Sequence, residues 1–163
     1  MIRARKSLSE LEAQVIGKQL LLAIGYLHAH NVMHRDLKLS NILISQSMEI
    51  KVADFGLAYK FETRDERRYS FCGTPAYVAP EMVDRERQEG HCEKVDIWAF
   101  GILMYVMLCG RPPFWSKSNE KTFKMILNGD VAFPEHVSEE ARNMIEHCLR
   151  RRPEKRPTAE QIL

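Results

Sequence analysis

Apolar residues near the start of the chain recur at helical spacing: Ile16, Leu20, Ala23 and Leu27 fall on one face. Ser9 followed three positions later by Glu12 is a capping box, so the pattern predicts a helix over about 9–29. The pattern then changes to short apolar runs at 41–44 and 49–53, separated by Gln46-Ser47-Met48. These read as two strands joined by a turn, with Asn41 and Asp54 at neighbouring ends. Residues 60–69 are charged and carry no sustained apolar period, which predicts a mobile surface loop. Gly73, Pro75 and Pro80 punctuate 71–81, so that stretch reads as a shaped loop. Residues 83–89, with Asp84-Arg85-Glu86-Arg87, read as a solvated connection.

From Val95 to Gly110 the chain is apolar on every face. Such a helix belongs at the buried centre of a helical domain, and Gly110 is placed to stop it. Arg111-Pro112-Pro113-Phe114 is a rigid exit. A helix over 118–128 follows, with Phe123, Ile126 and Leu127 on one face and Gly129 at its end. Another, over about 138–150, carries Ala141, Ile145, Cys148 and Leu149. Thr158 and Gln161 form a second capping box and open a last helix. The expected fold is mainly α, with one or two short β-hairpins.

Composition narrows the class. At 163 residues the chain is long enough for one domain with a real core. A hydrophobic share of 45% and a charged share of 28% are ordinary for a soluble globular protein. A formal net charge of +2 gives no argument for nucleic acid or a membrane surface as partner. No apolar run approaches the ~20 residues a membrane span needs. The basic start, Met1-Ile2-Arg3-Ala4-Arg5-Lys6-Ser7, lacks the apolar stretch of a secretory signal, so an intracellular, cytoplasmic protein is expected. Cys72, Cys92, Cys109 and Cys148 are scattered without a Cys-x-x-Cys pair and read as reduced thiols.

The chemistry gathers at His34-Arg35-Asp36-Leu37-Lys38-Leu39-Ser40-Asn41, which sets a carboxylate, an ammonium and a carboxamide close together. Asp54-Phe55-Gly56 adds a second carboxylate just before a glycine that lets the backbone turn. A base for a hydroxyl, a cation for phosphate and two oxygen ligands for a hard metal are what phosphoryl transfer requires. His28, His30 and His34 raise a second possibility, a metal site. Their spacing does not put all three on one helical face and no carboxylate or thiol pattern completes the set, so they read as structural.

In order, these motifs resemble the C-terminal, large lobe of a eukaryotic-type protein kinase. His34-Arg35-Asp36 with Lys38 and Asn41 is similar to the catalytic loop, and Asp54-Phe55-Gly56 to the metal-binding triplet. Ala79-Pro80-Glu81 is similar to the end of the activation segment. Asp96 and Trp98 stand where the family's central helix begins, and Arg156 matches the arginine that pairs with Glu81. The resemblance covers nearly the whole chain and implies a partial kinase domain over 1–163, with the small β lobe absent.

It also implies roles. Asp36 would accept or orient the proton of the substrate hydroxyl, and Lys38 would neutralise the transferred phosphoryl group. Asn41 and Asp54 would hold Mg²⁺ beside ATP, with Leu43 under the adenine ring. Thr74, Pro75 and Val78 would meet a protein substrate. His34, Phe55, Gly56, Glu81, Asp96 and Arg156 would be structural. Arg35 would pair with a phosphate placed on Ser70 by an upstream kinase. Lys38 with Gly73-Thr74-Pro75 looks like the serine/threonine branch. Residues 71–81 and 111–114 look most like the cyclic-nucleotide-dependent and calcium/calmodulin-dependent groups.

The departures carry expectations of their own. No Gly-x-Gly-x-x-Gly occurs, and the family's strand lysine and its glutamate partner cannot be placed. Catalysis of this kind is nearly all positioning and electrostatics. By analogy with the ~10³–10⁵ of one arginine finger, the isolated chain is expected to be nearly inactive. The face around His34 and Phe55 would leave an apolar patch that calls for a covering partner. Ser40 and Val106 stand where arginine-directed relatives carry glutamates, which argues against a strong preference for basic substrates. A reading from a different class is a non-catalytic kinase-lobe fragment that binds proteins through grooves around 114–127.

Overall fold

Ser9 closes the first helix as its capping box predicts: its hydroxyl accepts the Glu12 N–H, and the Glu12 carboxylate accepts the Ser9 N–H. The computed structural model describes residues 7–63, 65–84 and 90–163. Helix α1 (Glu10–Ala29) buries Ala13, Ile16, Leu20, Leu21 and Ile24. The all-apolar run becomes α3 (Lys94–Cys109), in which every residue from Val95 to Leu108 is buried. Gly110 ends it in the left-handed region, φ 77°, which an ordinary side chain would resist.

A helix buried on all faces needs neighbours on all of them. Helices α1 and α5 (Glu139–Cys148) pack on α3, and the 3₁₀ turn Pro153–Lys155 covers another side. At Gly101 the approach of α5 is so close that an added Cβ would lie 2.8 Å from the Cys148 Cβ. Trp98 stacks on Phe114 with centroids 5.8 Å apart, which fixes the proline-rich exit against the core. Helix α4 (Asn119–Asn128) contacts the short α2 (Pro80–Val83), and α6 (Ala159–Ile162) packs on α1 under the Thr158–Gln161 capping box.

Two small antiparallel sheets flank the helices. Strands β2 (Ile42–Ile44) and β3 (Ile50–Val52) form the expected hairpin, Ile42 opposite Val52. The other sheet pairs β1 (Val32–Met33) with β4 (Tyr59–Lys60), Met33 opposite Tyr59. It is not a hairpin: the whole segment carrying the candidate chemistry lies between its strands. The 71–81 stretch is irregular except at its end, where Pro80 begins α2; proline suits a first helical position, where no N–H partner is needed. Helix α5 stops at Cys148, short of residue 150. Val83 belongs to α2, and the rest of the expected 83–89 connection lies, from 85 onwards, outside the described residues. No described helix is long and apolar enough to cross a membrane.

Residues 61–69 are tied down at both ends. The Phe61 N–H donates to the Asn31 carbonyl at 2.8 Å, and Arg68 and His91 exchange backbone bonds of 3.0 and 2.7 Å. His91 is 3% exposed. Burial, reinforced by the nearby Arg35 charge, pushes its pKa down to about 4. The unfolded value is near 6.5, so the folded state resists protonation. The stability His91 contributes is complete above pH 6.5 and is lost as pH falls toward 4. We expect acidification from pH 7 to 4.5 to cost on the order of 2–3 kcal/mol through this residue. His91→Gln should flatten that limb of the urea-unfolding stability; a limb of unchanged slope would discard the assignment.

Candidate active site

Strand β1 delivers the chain to His34. There Asp96, in the first turn of α3 and fully buried, accepts the His34 N–H at 2.8 Å and the Arg35 N–H at 2.9 Å. His28 Nε2 lies 3.0 Å from the same carboxylate. A carboxylate inside an apolar helix requires such partners, and they shape the loop in return. Arg35 is held at φ 69°, a left-handed conformation that costs a non-glycine residue on the order of 1–2 kcal/mol.

Beyond that turn stands Asp36. Its Oδ2 accepts from Lys38 Nζ at 2.6 Å, and its Oδ1 from Thr74 Oγ1 at 2.8 Å. Lys38 Nζ also donates to Thr74 Oγ1 at 3.0 Å, which closes a ring of three side chains. Asn41 Nδ2 donates to the Asp36 carbonyl at 2.9 Å. Thr74 reaches the ring because Gly73 turns at φ 97°; a Cβ there would sit 2.8 Å from the Arg35 carbonyl oxygen. Burial raises the Asp36 pKa, but the Lys38 and Thr74 hydrogen bonds outweigh it and hold the carboxyl below its usual value. Asp36 is an oriented anion at neutral pH.

The hairpin brings the second carboxylate alongside. The Ala53 N–H donates to the Asn41 carbonyl at 2.8 Å, so the two ends meet as expected. Asp54 is exposed at φ 64°, and its Oδ1 accepts the Gly56 N–H at 3.3 Å. The donor set suits a hard cation: an exposed carboxylate and a carboxamide whose oxygen takes no part in the bonds around Asp36. His34 meets Phe55 edge-on at 4.9 Å and directs Nε2 at the Ala53 carbonyl. Leu43, Ile44, Phe55 and Leu57 are exposed apolar side chains.

The other expected residues fall as follows. Arg35 Nη1 donates to Ser70 Oγ at 2.9 Å and its Nε to the Leu57 carbonyl at 2.6 Å. Glu81 and Arg156 form a two-pronged pair, both bonds 2.7 Å. Pro75 is partly buried beside Thr74. The Val78 side chain is 3% exposed and packs into the core, so only its backbone could meet a substrate. Val106 is likewise buried in α3, whereas Ser40 is exposed. The three histidines have separate partners: His28 at Asp96, His30 at the Tyr26 carbonyl, His34 at the Ala53 carbonyl.

Sequence reasoning missed His28 as a partner of Asp96. The available signal was Asp96 itself, a carboxylate in an apolar run that had to find donors. It also missed Tyr59, whose hydroxyl donates to the Glu66 carboxylate and whose ring lies against the Arg35 and Arg68 guanidiniums.

A carboxylate poised between an ammonium and a hydroxyl, with an amide and a second carboxylate at hand, fits a phosphotransferase loop on a helical lobe. The family profile for the protein kinase domain matches residues 1–163, and the chain belongs to that family. It is 44% identical to the probable serine/threonine-protein kinase CCRP1 of Zea mays, over 100% of this chain and 26% of that protein. It is 42% identical to serine/threonine-protein kinase PLK4 of Drosophila grimshawi, over 98% of this chain and 20% of the relative. It is 41% identical to serine/threonine-protein kinase PLK1 of Xenopus tropicalis, over 99% and 26%. The chain thus spans a fifth to a quarter of the length of these relatives.

Proposed function

We propose that the chain is the large-lobe part of a serine/threonine protein kinase that transfers the γ-phosphoryl group of ATP to protein hydroxyls. The observation that carries this is the closed ring of Asp36, Lys38 and Thr74. It aims one anionic oxygen acceptor and one ammonium at the same small volume, as an incoming hydroxyl and a departing phosphoryl group require. Asp36 takes or orients the hydroxyl proton. Lys38 faces the phosphoryl oxygens. Asn41 and Asp54 hold Mg²⁺, which when bound neutralises charge on the phosphates. Leu43 underlies the adenine, and Thr74 and Pro75, with the Val78 backbone, line the acceptor side. Phe55 and Gly56 set the direction of Asp54, and Asp96 and the Glu81–Arg156 pair fix the frame.

On this reading a small lobe supplies the phosphate-covering loop and covers Leu43, Phe55 and Leu57, and residues 1–163 alone are nearly inert. Ser70 is the site of an activating phosphate placed by an upstream kinase. The likeness of 71–81 and 111–114 to the cyclic-nucleotide-dependent and calcium/calmodulin-dependent groups rests on those two segments, and a cytoplasmic setting on the reduced-thiol reading. One observation favours a binding role for the lobe by itself. Phe71, exposed and edge-on to Phe123 at 5.7 Å, borders a cavity of 640 Å³ between the 68–71 segment and α2.

The test is transfer of labelled γ-phosphate from Mg-ATP to protein acceptors by a form that includes the small lobe, followed by phosphoamino-acid analysis. Label on serine and threonine is the expected result. Label confined to tyrosine, or none in the complete form, overturns the proposal.

A further inference from the structure

Two guanidiniums converge on one tyrosine ring beside Ser70. The Arg68 Cζ lies 4.1 Å from the Tyr59 ring centroid and the Arg35 Cζ 5.8 Å from it. The two carbons are therefore no farther apart than those distances added. Among the described residues neither guanidinium has a carboxylate within ion-pair distance. The Arg68 Nε is buried and finds no acceptor among the described residues. The Glu66 carboxylate accepts the Tyr59 hydroxyl and the Glu62 N–H and feels the Arg68 charge without forming an ion pair with it.

All three groups are fixed in place. Tyr59 is held by its strand pairing with Met33, by the Glu66 bond and by an edge-on contact with Phe61 at 5.3 Å. The Arg68 backbone is held through both its N–H and its carbonyl by His91. Arg35 is set by Asp96 and by the Leu57 carbonyl, and its Nη1 already reaches Ser70 Oγ. Each guanidinium is attracted to the one ring, a contact worth little at the more distant Arg35. A buried donor without an acceptor marks a deficit. Two forks placed around one ring, one of them already on the Ser70 hydroxyl, suit an anion with several acceptor oxygens at that residue.

We propose that Arg68 is, with Arg35, a second ligand of a phosphomonoester on Ser70, and that Tyr59 is the platform that keeps the two forks apart and aimed at it. The inference rests on reading Ser70 as the modified residue and adds who binds the group. Arg68 is pinned by its bridge to His91 two residues before Ser70, and Tyr69 between them is exposed. A phosphoserine carries about −1.5 to −2 charges and three acceptor oxygens, a match for two planar forks. The group comes from ATP: the Ser70 Oγ–P bond forms as the bond to the β-phosphate bridging oxygen breaks. ADP leaves, and the hydroxyl proton passes to the base of the upstream kinase.

The experiment places phosphoserine at 70 during translation and titrates it by ³¹P NMR in the 163-residue chain. The second phosphate pKa, about 6 when free, should lie on the order of one unit lower in the parent chain. Arg68→Gln and Arg35→Gln should each return part of that shift. Tyr59→Leu should behave like Arg68→Gln, and Tyr59→Phe like the parent. Arg68→Lys, which keeps the charge without the fork, should fall between, and it decides the matter if Arg68→Gln lowers the Tm of the unphosphorylated chain. If Arg35→Gln moves the titration and the Arg68 variants do not, the second-ligand proposal is overturned while Ser70 with Arg35 stands. If no variant moves it, the Ser70 reading falls as well.

Discussion

Asp36→Asn is expected to lower phosphoryl transfer by about 10³-fold or more while leaving the fold intact. The substitution keeps the shape and removes the charge. In the parent chain both carboxylate oxygens accept, one from Lys38 at 2.6 Å and one from Thr74 at 2.8 Å. An amide can accept on one side only, so its NH₂ must face one of those two donors. The ring opens, the proton acceptor is gone, and Lys38 loses the partner that aims it.

The pH dependence has a definite sign. Hydrogen bonds from Lys38 and Thr74 outweigh burial and hold the Asp36 carboxyl below its ordinary value. Its anionic form, with the stability and the rate that depend on it, is present above the unfolded value of about 3.9. It is lost only as pH falls through the lowered one. The acid limb of kcat should therefore lie below the usual carboxylate range. The measurements are kcat with Mg-ATP in a form carrying the small lobe, and Tm by circular dichroism. Retention of more than a tenth of the rate would falsify the assignment of Asp36 as the base.

The sequence made the elements legible where a local signal existed and silent where partners met only in three dimensions. Helix α1 was readable because Ser9 and Glu12 cap each other and Ile16, Leu20, Ala23 and Leu27 recur at helical spacing; of these the helix buries Ile16 and Leu20, together with Ala13 and Ile24, which the pattern did not pick out. Helix α3 was readable because a run of uniformly apolar residues ends at a glycine. Asn41, Asp54, Glu81 and Arg156 stood out by their order in the chain, and the pair Arg156–Glu81 is formed across 75 residues. The β1–β4 pairing left no trace, since two residues per strand hold no period and the partners are brought together by the loop between them. Asp96 signalled that donors were needed but not which, and Tyr59 carried no signal, for the same reason: each acts through a side chain distant in sequence, His28 on Asp96 and Tyr59 on Arg35. Helix α2 was missed although Pro80 was in plain view, because a four-residue helix is too short for a period to show.

Arg156→Met should destabilise the chain by about 3–5 kcal/mol, a large part of the 5–15 kcal/mol typical of a domain. Arg156 is a buried cation with every prong engaged. Nη1 and Nη2 donate to the two Glu81 oxygens at 2.7 Å, Nε to the Arg150 carbonyl at 2.8 Å, and Nη1 also to the Lys94 carbonyl at 3.0 Å. Its Cζ lies 5.1 Å from the Trp98 ring centroid. Methionine fills the volume but leaves the Glu81 carboxylate, 5% exposed, without its counter-charge, and that residue is then the main source of the loss. The double variant Glu81→Met with Arg156→Met removes both charges and should recover much of the stability, because a buried pair is worth little net against apolar packing. Activity should not recover with it. Glu81 anchors α2 at the end of the 70–81 segment, and that segment carries Gly73 and Thr74 to Asp36. Urea unfolding of the four members of the cycle, with kcat of each measured in a form carrying the small lobe, separates the two effects. A single-variant loss under about 1 kcal/mol would show the pair to be a surface-type contact. A double variant as active as the parent would show that α2 holds the segment without it.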